Sequence, residues 1–355
     1  MTRKRLRDLG ITMGTWPTGE WNAITDVGGI RVGHSTLIYD EPRVARTGVT
    51  MIVPREGNIW SDHCFAGFHR FNGNGEMTGL MWVEESGLLT TPIGITNTHQ
   101  VGLVRDVLVE YGRAQPNASL WMLPVVAETY DGRLNDIDAF HLQREHVLHA
   151  LENARSGRVE EGNVGGGTGM RCHEFKGGIG TASRVVQIEK DSYTLGVLVQ
   201  ANYGDMALLR VDGVPVGREL VRRHAHETAP KQGSIIIIVA TDAPLIPTQC
   251  ARLAQRATIG LGNVGGTGHN TSGDLFFAFA TGNSIPRDGP ELMPLRMLPN
   301  SQINPLFDAT VEAVEEAILN ALTTAETMRG ANETIQALPL DELLEIMRAY
   351  GRVAN

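Results

Sequence analysis

Through the first half of the chain, apolar residues fall in short runs divided by glycine and polar turns, a spacing that predicts strands more often than long helices. Residues 48–54 (Gly-Val-Thr-Met-Ile-Val-Pro) read as a strand that proline ends. Residues 88–97 read as another strand region, leading into the turn Asn97-Thr98-His99-Gln100. Helical spacing follows over residues 101–109. Residues 136–154 place Ile137, Phe140, Leu148 and Leu151 as a helix would, ended by Ser156-Gly157. Residues 195–202 are again β-rich and run into a Tyr203-Gly204 turn.

The pattern changes at residues 218–232, which are charged, hold one proline and offer little to bury. This stretch reads as an exposed linker ending at Gly233-Ser234. The uninterrupted run Ile235-Ile236-Ile237-Ile238-Val239-Ala240 then predicts a buried strand. Thr241-Asp242 is read as the cap of a helix that ends near Ile259, stopped by Gly260 and Gly262. Residues 275–280 form a further strand, and the tail is helical over 307–327 and 340–350, with Val311, Val314, Ile318 and Leu322 inward.

Composition narrows the class without naming a substrate. The 355 residues suffice for one large domain or two modest ones, and 42% hydrophobic with 20% charged residues is ordinary for a globular protein. A net charge of -9 argues against a nucleic-acid surface, which needs clustered cations. The longest apolar runs are too short to span a membrane, so neither nucleic acid nor membrane is expected as a partner. Cys64, Cys172 and Cys250 lie far apart and read as free thiols. The basic start is not followed by an apolar core of a signal peptide, so a cytoplasmic location is expected.

Most candidate motifs fail on their own terms. The strings at 162–169 and 262–268 are nearly identical and glycine-rich, but neither is a P-loop nor opens a helix after a strand. They read as loops returning from a helix to a sheet. His141, His146, His149, His224 and His226 have no supporting cysteine or carboxylate spacing and read as solvent-facing, so no metal or cofactor is expected. No Gly-x-Ser-x-Gly elbow is present.

Gly233-Ser234 carries two readings. As a dipeptide it is common turn chemistry at the end of a linker. Alternatively, the hydroxyl attacks the unshielded glycine carbonyl, and hydrolysis of the resulting ester leaves serine as a new N-terminus. That α-amine, with an ordinary pKa of ~7.7–8.0, can then act as the base for its own hydroxyl. Other polar clusters are weaker alone. His269 to Asp274 reads as a turn capping a strand, with Ser272 and Asp274 able to orient an amine. Glu128, if buried, would have a raised pKa and suit a substrate ammonium, whereas Tyr130 reads first as a packed aromatic.

Taken in order, these pieces resemble the self-processing aminopeptidases that include the L-aminopeptidase/D-alanine esterase/amidase and the β-peptidyl aminopeptidases. The matching strings are residues 22–34, 72–79, 96–99, 162–169, Gly233-Ser234 and 240–245. The resemblance implies an α+β fold, an αββα sandwich, with self-cleavage giving an α chain (1–233) and a β chain (234–355) within one folded domain. It implies Ser234 as nucleophile with its new amine as base, Asn202 as oxyanion donor, and Tyr130 lining the site. Ser272 and Asp274 would hold the nucleophile's amine, and Glu128 would receive the substrate's free N-terminus. Some β-peptidyl members carry glutamate where Asp274 stands. Substrates would be short peptides, amino-acid amides or esters, and αβ units would assemble as homo-oligomers. An acyltransferase of the ornithine acetyltransferase type is the second enzymatic reading, although that family has threonine at the new terminus. An uncleaved small-ligand binding protein is the non-catalytic one.

Overall fold

The structure, a computed structural model, describes residues 3–116, 119–224 and 233–353. Strands β1 (Arg31–Tyr39), β2 (Ala45–Val53), β3 (Asp62–Arg70), β4 (Leu88–Leu89), β5 (Ile93–Asn97) and β6 (Val125–Thr129) come first, with helices α1 (Leu80–Ser86) and α2 (Val101–Arg113) between them. Helix α3 (Arg144–Glu152) leads to a small ladder, β7 (Arg171–Cys172) with β8 (Phe175–Lys176). Then come β9 (Gly178–Ile188), β10 (Asp191–Asn202), α4 (Val216–Arg223), β11 (Gly233–Thr241), α5 (Pro247–Val264), β12 (Ser272–Pro286) and α6 (Asn304–Thr324). The hairpin β13 (Met328–Arg329) with β14 (Thr334–Ile335) and helix α7 (Leu340–Ala349) close the chain.

Two sheets stack face to face, one ordered β1-β2-β5-β6 and the other β4-β3-β12-β11-β10-β9. Alternation along β11 shows how the layers form. Ile236, Ile238 and Ala240 enter the core between the sheets, joining Ile52, Ile93, Ile95 and Ala127 of the other sheet. Ile235, Ile237 and Val239 face the opposite way, into a core shared with α5 and α6. The first sheet is covered in turn by α2 and α3 over Val49, Met51 and Val126. The result is the αββα arrangement. A strand buried on both faces must be apolar at every position, which is why β11 is legible in the sequence.

Several expected boundaries change. Residues 88–97 split into β4 and β5, which belong to different sheets. The helix expected at 136–154 is real only over Arg144–Glu152, with a single 3-10 turn at Ile137–Ala139. Thr241-Asp242 does not cap α5, because Thr241 is still in β11 and α5 begins at Pro247, whose fixed φ and missing N–H suit a first turn. Nor do Gly260 and Gly262 stop that helix. It runs to Val264 and ends at Gly265, whose φ of 106° is the left-handed conformation glycine tolerates. The supposed linker begins as helix α4, which buries Val216 and Leu220. Its remainder, 225–232, lies outside the described residues. The first glycine string contains its own 3-10 turn at Gly165–Gly167, and the second begins inside α5. His141 faces solvent only in part. It is half-buried, with one ring nitrogen against the Tyr39 hydroxyl at 2.9 Å and the other against the Val44 carbonyl at 3.1 Å.

Candidate active site

Register brings the expected residues together at one end of the larger sheet. Ser234, at the start of β11, pairs directly with Asn202, the last residue of β10. On its other side β12 runs parallel and sets Gly233 opposite Ser272, Ser234 opposite Gly273 and Ile235 opposite Asp274. By strand alternation Ser234 and Asn202 share the face of Ile236, toward the seam between the sheets. Gln200, on that same face, spans the seam. Its amide donates to the Thr96 carbonyl at 3.0 Å and to the Thr129 hydroxyl at 2.8 Å, fixing the ends of β5 and β6 beside the site.

A cavity of about 420 Å³ opens there, lined by Ser234, Gly233, Asn202, Glu128, Tyr130, Thr98, Asn74, Thr271, Arg133 and Arg171. The Ser234 hydroxyl donates to the Gly233 carbonyl oxygen at 2.8 Å and accepts from the Gly273 N–H at 3.2 Å. No residue with a side chain fits at 233, because a Cβ would stand 2.5 Å from the Tyr203 Cα and 2.6 Å from the Asn202 carbonyl oxygen. Asn202 is clamped at both ends of its amide: it donates to the Tyr130 carbonyl at 3.0 Å and accepts from the Arg171 N–H at 2.8 Å. An amide carries two N–H donors, so one remains after that clamp. The Tyr130 ring stands at the cavity wall and is half exposed.

Glu128 is buried. One carboxylate oxygen accepts from the Glu76 N–H at 3.0 Å and the other from the Thr98 hydroxyl. Burial pushes its carboxyl above the ordinary range, and those two hydrogen bonds oppose the shift without cancelling it. A cation placed beside it would favour the ionised form.

Ser272 and Asp274 alternate onto the helix-side face, behind Gly233. The Ser272 hydroxyl donates to the Asp274 carboxylate at 2.6 Å. Asp274 is pushed up to about 6 by burial, against hydrogen bonds from Ser272, the Asn72 amide and the Ile235 N–H. Thr98, Asn74, Arg133 and Arg171 line the cavity without a local sequence signal for that role, although Thr98 and Asn74 stand within strings that carry the resemblance. Among the described residues, no group of three or more His, Cys, Asp or Glu is placed to hold a metal ion, and no helix is long and apolar enough to cross a membrane.

A hydroxyl paired with an amide side chain and close to a buried carboxylate thus lies at the seam of two stacked sheets between helical layers. The chain belongs to peptidase family S58, whose profile matches residues 22–336, and it is an aminopeptidase. It is 47% identical to the β-peptidyl aminopeptidase BapA of Sphingosinicella microcystinivorans, over 99% of this chain and 93% of that one. Among solved structures it is similar to a β-aminopeptidase of Burkholderia sp., with 51% identity, a TM-score of 0.92 and coverage of 98% and 99% of the two chains. It is equally similar in fold to the L-aminopeptidase D-Ala-esterase/amidase of Ochrobactrum anthropi, described as a variant of the Ntn hydrolase fold (45% identity, TM-score 0.92, 99% of each chain).

Proposed function

We propose that the chain cuts itself between Gly233 and Ser234 and then works as an N-terminal-serine aminopeptidase. The Ser234 hydroxyl, held against the Gly233 carbonyl at the mouth of a cavity that also contains Glu128, carries this reading. In processing, Oγ attacks the Gly233 carbonyl carbon, the C–N bond breaks, and the amine leaves with a proton. Water then hydrolyses the ester, leaving a carboxylate on Gly233 and a free α-amine on Ser234.

In turnover that amine takes the proton from Oγ as Oγ attacks the substrate carbonyl. The remaining Asn202 N–H stabilises the oxyanion, with the amide's orientation set by Tyr130 and Arg171. The leaving amine departs with the proton, and water releases the acyl group from Ser234. Ser272 and Asp274 hold the Ser234 amine from behind, and Tyr130 walls the acyl site. Glu128 pairs with the substrate ammonium, which restricts cleavage to free N-termini of short peptides, amides or esters. Exposed Met81, Leu120, Trp121 and Leu292 support assembly of several αβ units, and three buried free thiols support a reducing compartment.

Denaturing electrophoresis with mass spectrometry of the purified protein should give two pieces, the smaller beginning at Ser234. Ser234→Ala should remain one intact chain without hydrolytic activity. A Ser234→Ala protein that is still cut, or still hydrolyses amino-acid amides, refutes the assignment.

A further inference from the structure

The charges lining the catalytic cavity are unevenly spread. Its carboxylate, Glu128, is held on one side by Thr98 and Glu76. Its two cations are Arg133 and Arg171, whose backbone segments pack against residues 331–336 at the β13–β14 hairpin. There Asn332 donates to the Gly132 carbonyl at 2.9 Å, Ala331 to the Leu134 carbonyl at 2.7 Å, and Lys176 N–H to the Gln336 carbonyl at 2.7 Å. These contacts anchor the backbone on either side of Arg133 and hold Lys176, the ladder partner of Arg171.

Arg171 is buried, its backbone N–H holds the Asn202 amide, and its side chain is shared between the catalytic cavity and the one beside it. Burial and the neighbouring Arg133 both lower its pKa, as expected where two cations crowd together. Arg133 is ion-paired with Glu333 at 3.3 Å, and the Glu333 and Glu174 carboxylates both act on Arg171. Both carboxylates line an adjoining cavity of about 450 Å³ that shares Arg171, and neither lines the catalytic cavity. In a chain of net charge -9, the catalytic cavity thus has a cationic side built against the overall balance.

The chemistry that fits this pattern is a zwitterion. The ammonium of the acyl residue meets Glu128, the scissile carbonyl meets Ser234, and the residue that leaves carries its own carboxylate one carbon beyond the departing nitrogen. A guanidinium fork matches a carboxylate with paired N–H donors. We infer that Arg133 and Arg171 form a subsite for a carboxylate on the leaving residue, which makes free-acid dipeptides the preferred substrate class over their amides. This rests on the reading of Ser234 as nucleophile and Glu128 as the amine site. The carboxylate has two sources, the main-chain terminus or an acidic side chain.

Three substrates with one acyl residue test it in the processed enzyme: a dipeptide ending in glycine, the amide of that dipeptide, and the amide of the corresponding aspartyl dipeptide. The free acid should exceed the glycine amide in kcat/KM by about ten- to a hundredfold, the range of a hydrogen bond to a charged group. Arg133→Gln should collapse that ratio toward one, and Arg171→Gln should do the same. Recovery of the rate by the aspartyl amide assigns the subsite to any leaving-side carboxylate, and no recovery assigns it to the main-chain terminus. Equal kcat/KM for acid and amide in the unaltered enzyme overturns the inference, as does a ratio that survives Arg133→Gln. Neither result bears on Ser234, whose role stands or falls on whether Ser234→Ala abolishes amide hydrolysis.

Discussion

Glu128 is the residue whose chemistry has the clearest sign. Its carboxyl is raised by burial, so it gives up its proton at a higher pH than the ordinary glutamate value of ~4.3. Ammonium binding needs the carboxylate, so kcat/KM should fall as pH drops through that raised value. The acid limb should therefore lie above the range of an exposed glutamate. Glu128→Gln should remove this limb and raise KM by about ten- to a hundredfold, the worth of a charge-assisted hydrogen bond. An unchanged acid limb in Glu128→Gln would assign the titration elsewhere. In the proposed mechanism Asn202 differs in kind, because its donor acts only once an oxyanion forms. Asn202→Ala should lower kcat by ~10²–10³ with little change in KM, read from steady-state kinetics on a small amide. A defect confined to KM would contradict an oxyanion role.

Elements differ in how far their sequence announces them. Strand β11 is legible because both of its faces are apolar. Helix α4 is not, since a charged surface with only Val216 and Leu220 inward looks like a linker until something packs on it. In α5 the glycines mislead: Gly260 leaves no room for a Cβ, which would stand 2.7 Å from the Val311 carbonyl oxygen, so it serves close packing on α6 rather than ending the helix. The site is less legible still. Ser234, Asn202 and Glu128 meet through strand register and sheet stacking, which no local spacing encodes, so only the family resemblance names them together. Arg133 and Arg171 have no signal at all. The attachment of α6 to β9 was also hidden. Fully buried Arg184 joins Glu316 at 2.7 Å and Glu312 at 2.9 Å, while Arg7 and Asn22 add bonds to Glu316. Burial alone would raise the Glu316 carboxyl, but these partners outweigh it and hold the carboxyl below its usual range. A depressed carboxyl contributes stability above its unfolded pKa and loses it as pH falls through the folded value. Arg184→Met leaves Glu316 with Arg7 and Asn22 but without its fully buried partner, and should cost about 1.5–3 kcal/mol in urea unfolding, with less of that cost remaining in acid. A loss under 1 kcal/mol at neutral pH would show the ion pair to be dispensable.

At the scale of the whole molecule, the proposed cut does not fall between two bodies. Strand β12 and all of β11 but Gly233 come from residues after the cut, and the two lie side by side in the middle of the larger sheet. On one side β10 pairs with β11 from Leu195 to Asn202, and on the other β3 pairs with β12, and both flanking strands precede the cut. Helices α5 and α6, also after the cut, cover that sheet, and α6 packs on β9 and β10. Separating the pieces would therefore expose two rows of strand hydrogen bonds and the apolar faces of β11. Fully burying one isoleucine is worth about 1.5–3 kcal/mol, and Ile235 to Ile238 are all at zero exposure. The cut costs one covalent link while these contacts persist, so the processed protein should behave as one cooperative unit. Native size-exclusion chromatography should elute both pieces together, and they should part only in denaturant. Because the central strands must insert between partners already on another chain, fragments separated in urea should recover less activity on dilution than an intact Ser234→Ala chain recovers of its native fold, followed by circular dichroism. Elution of the pieces as separate peaks without denaturant would contradict a shared sheet.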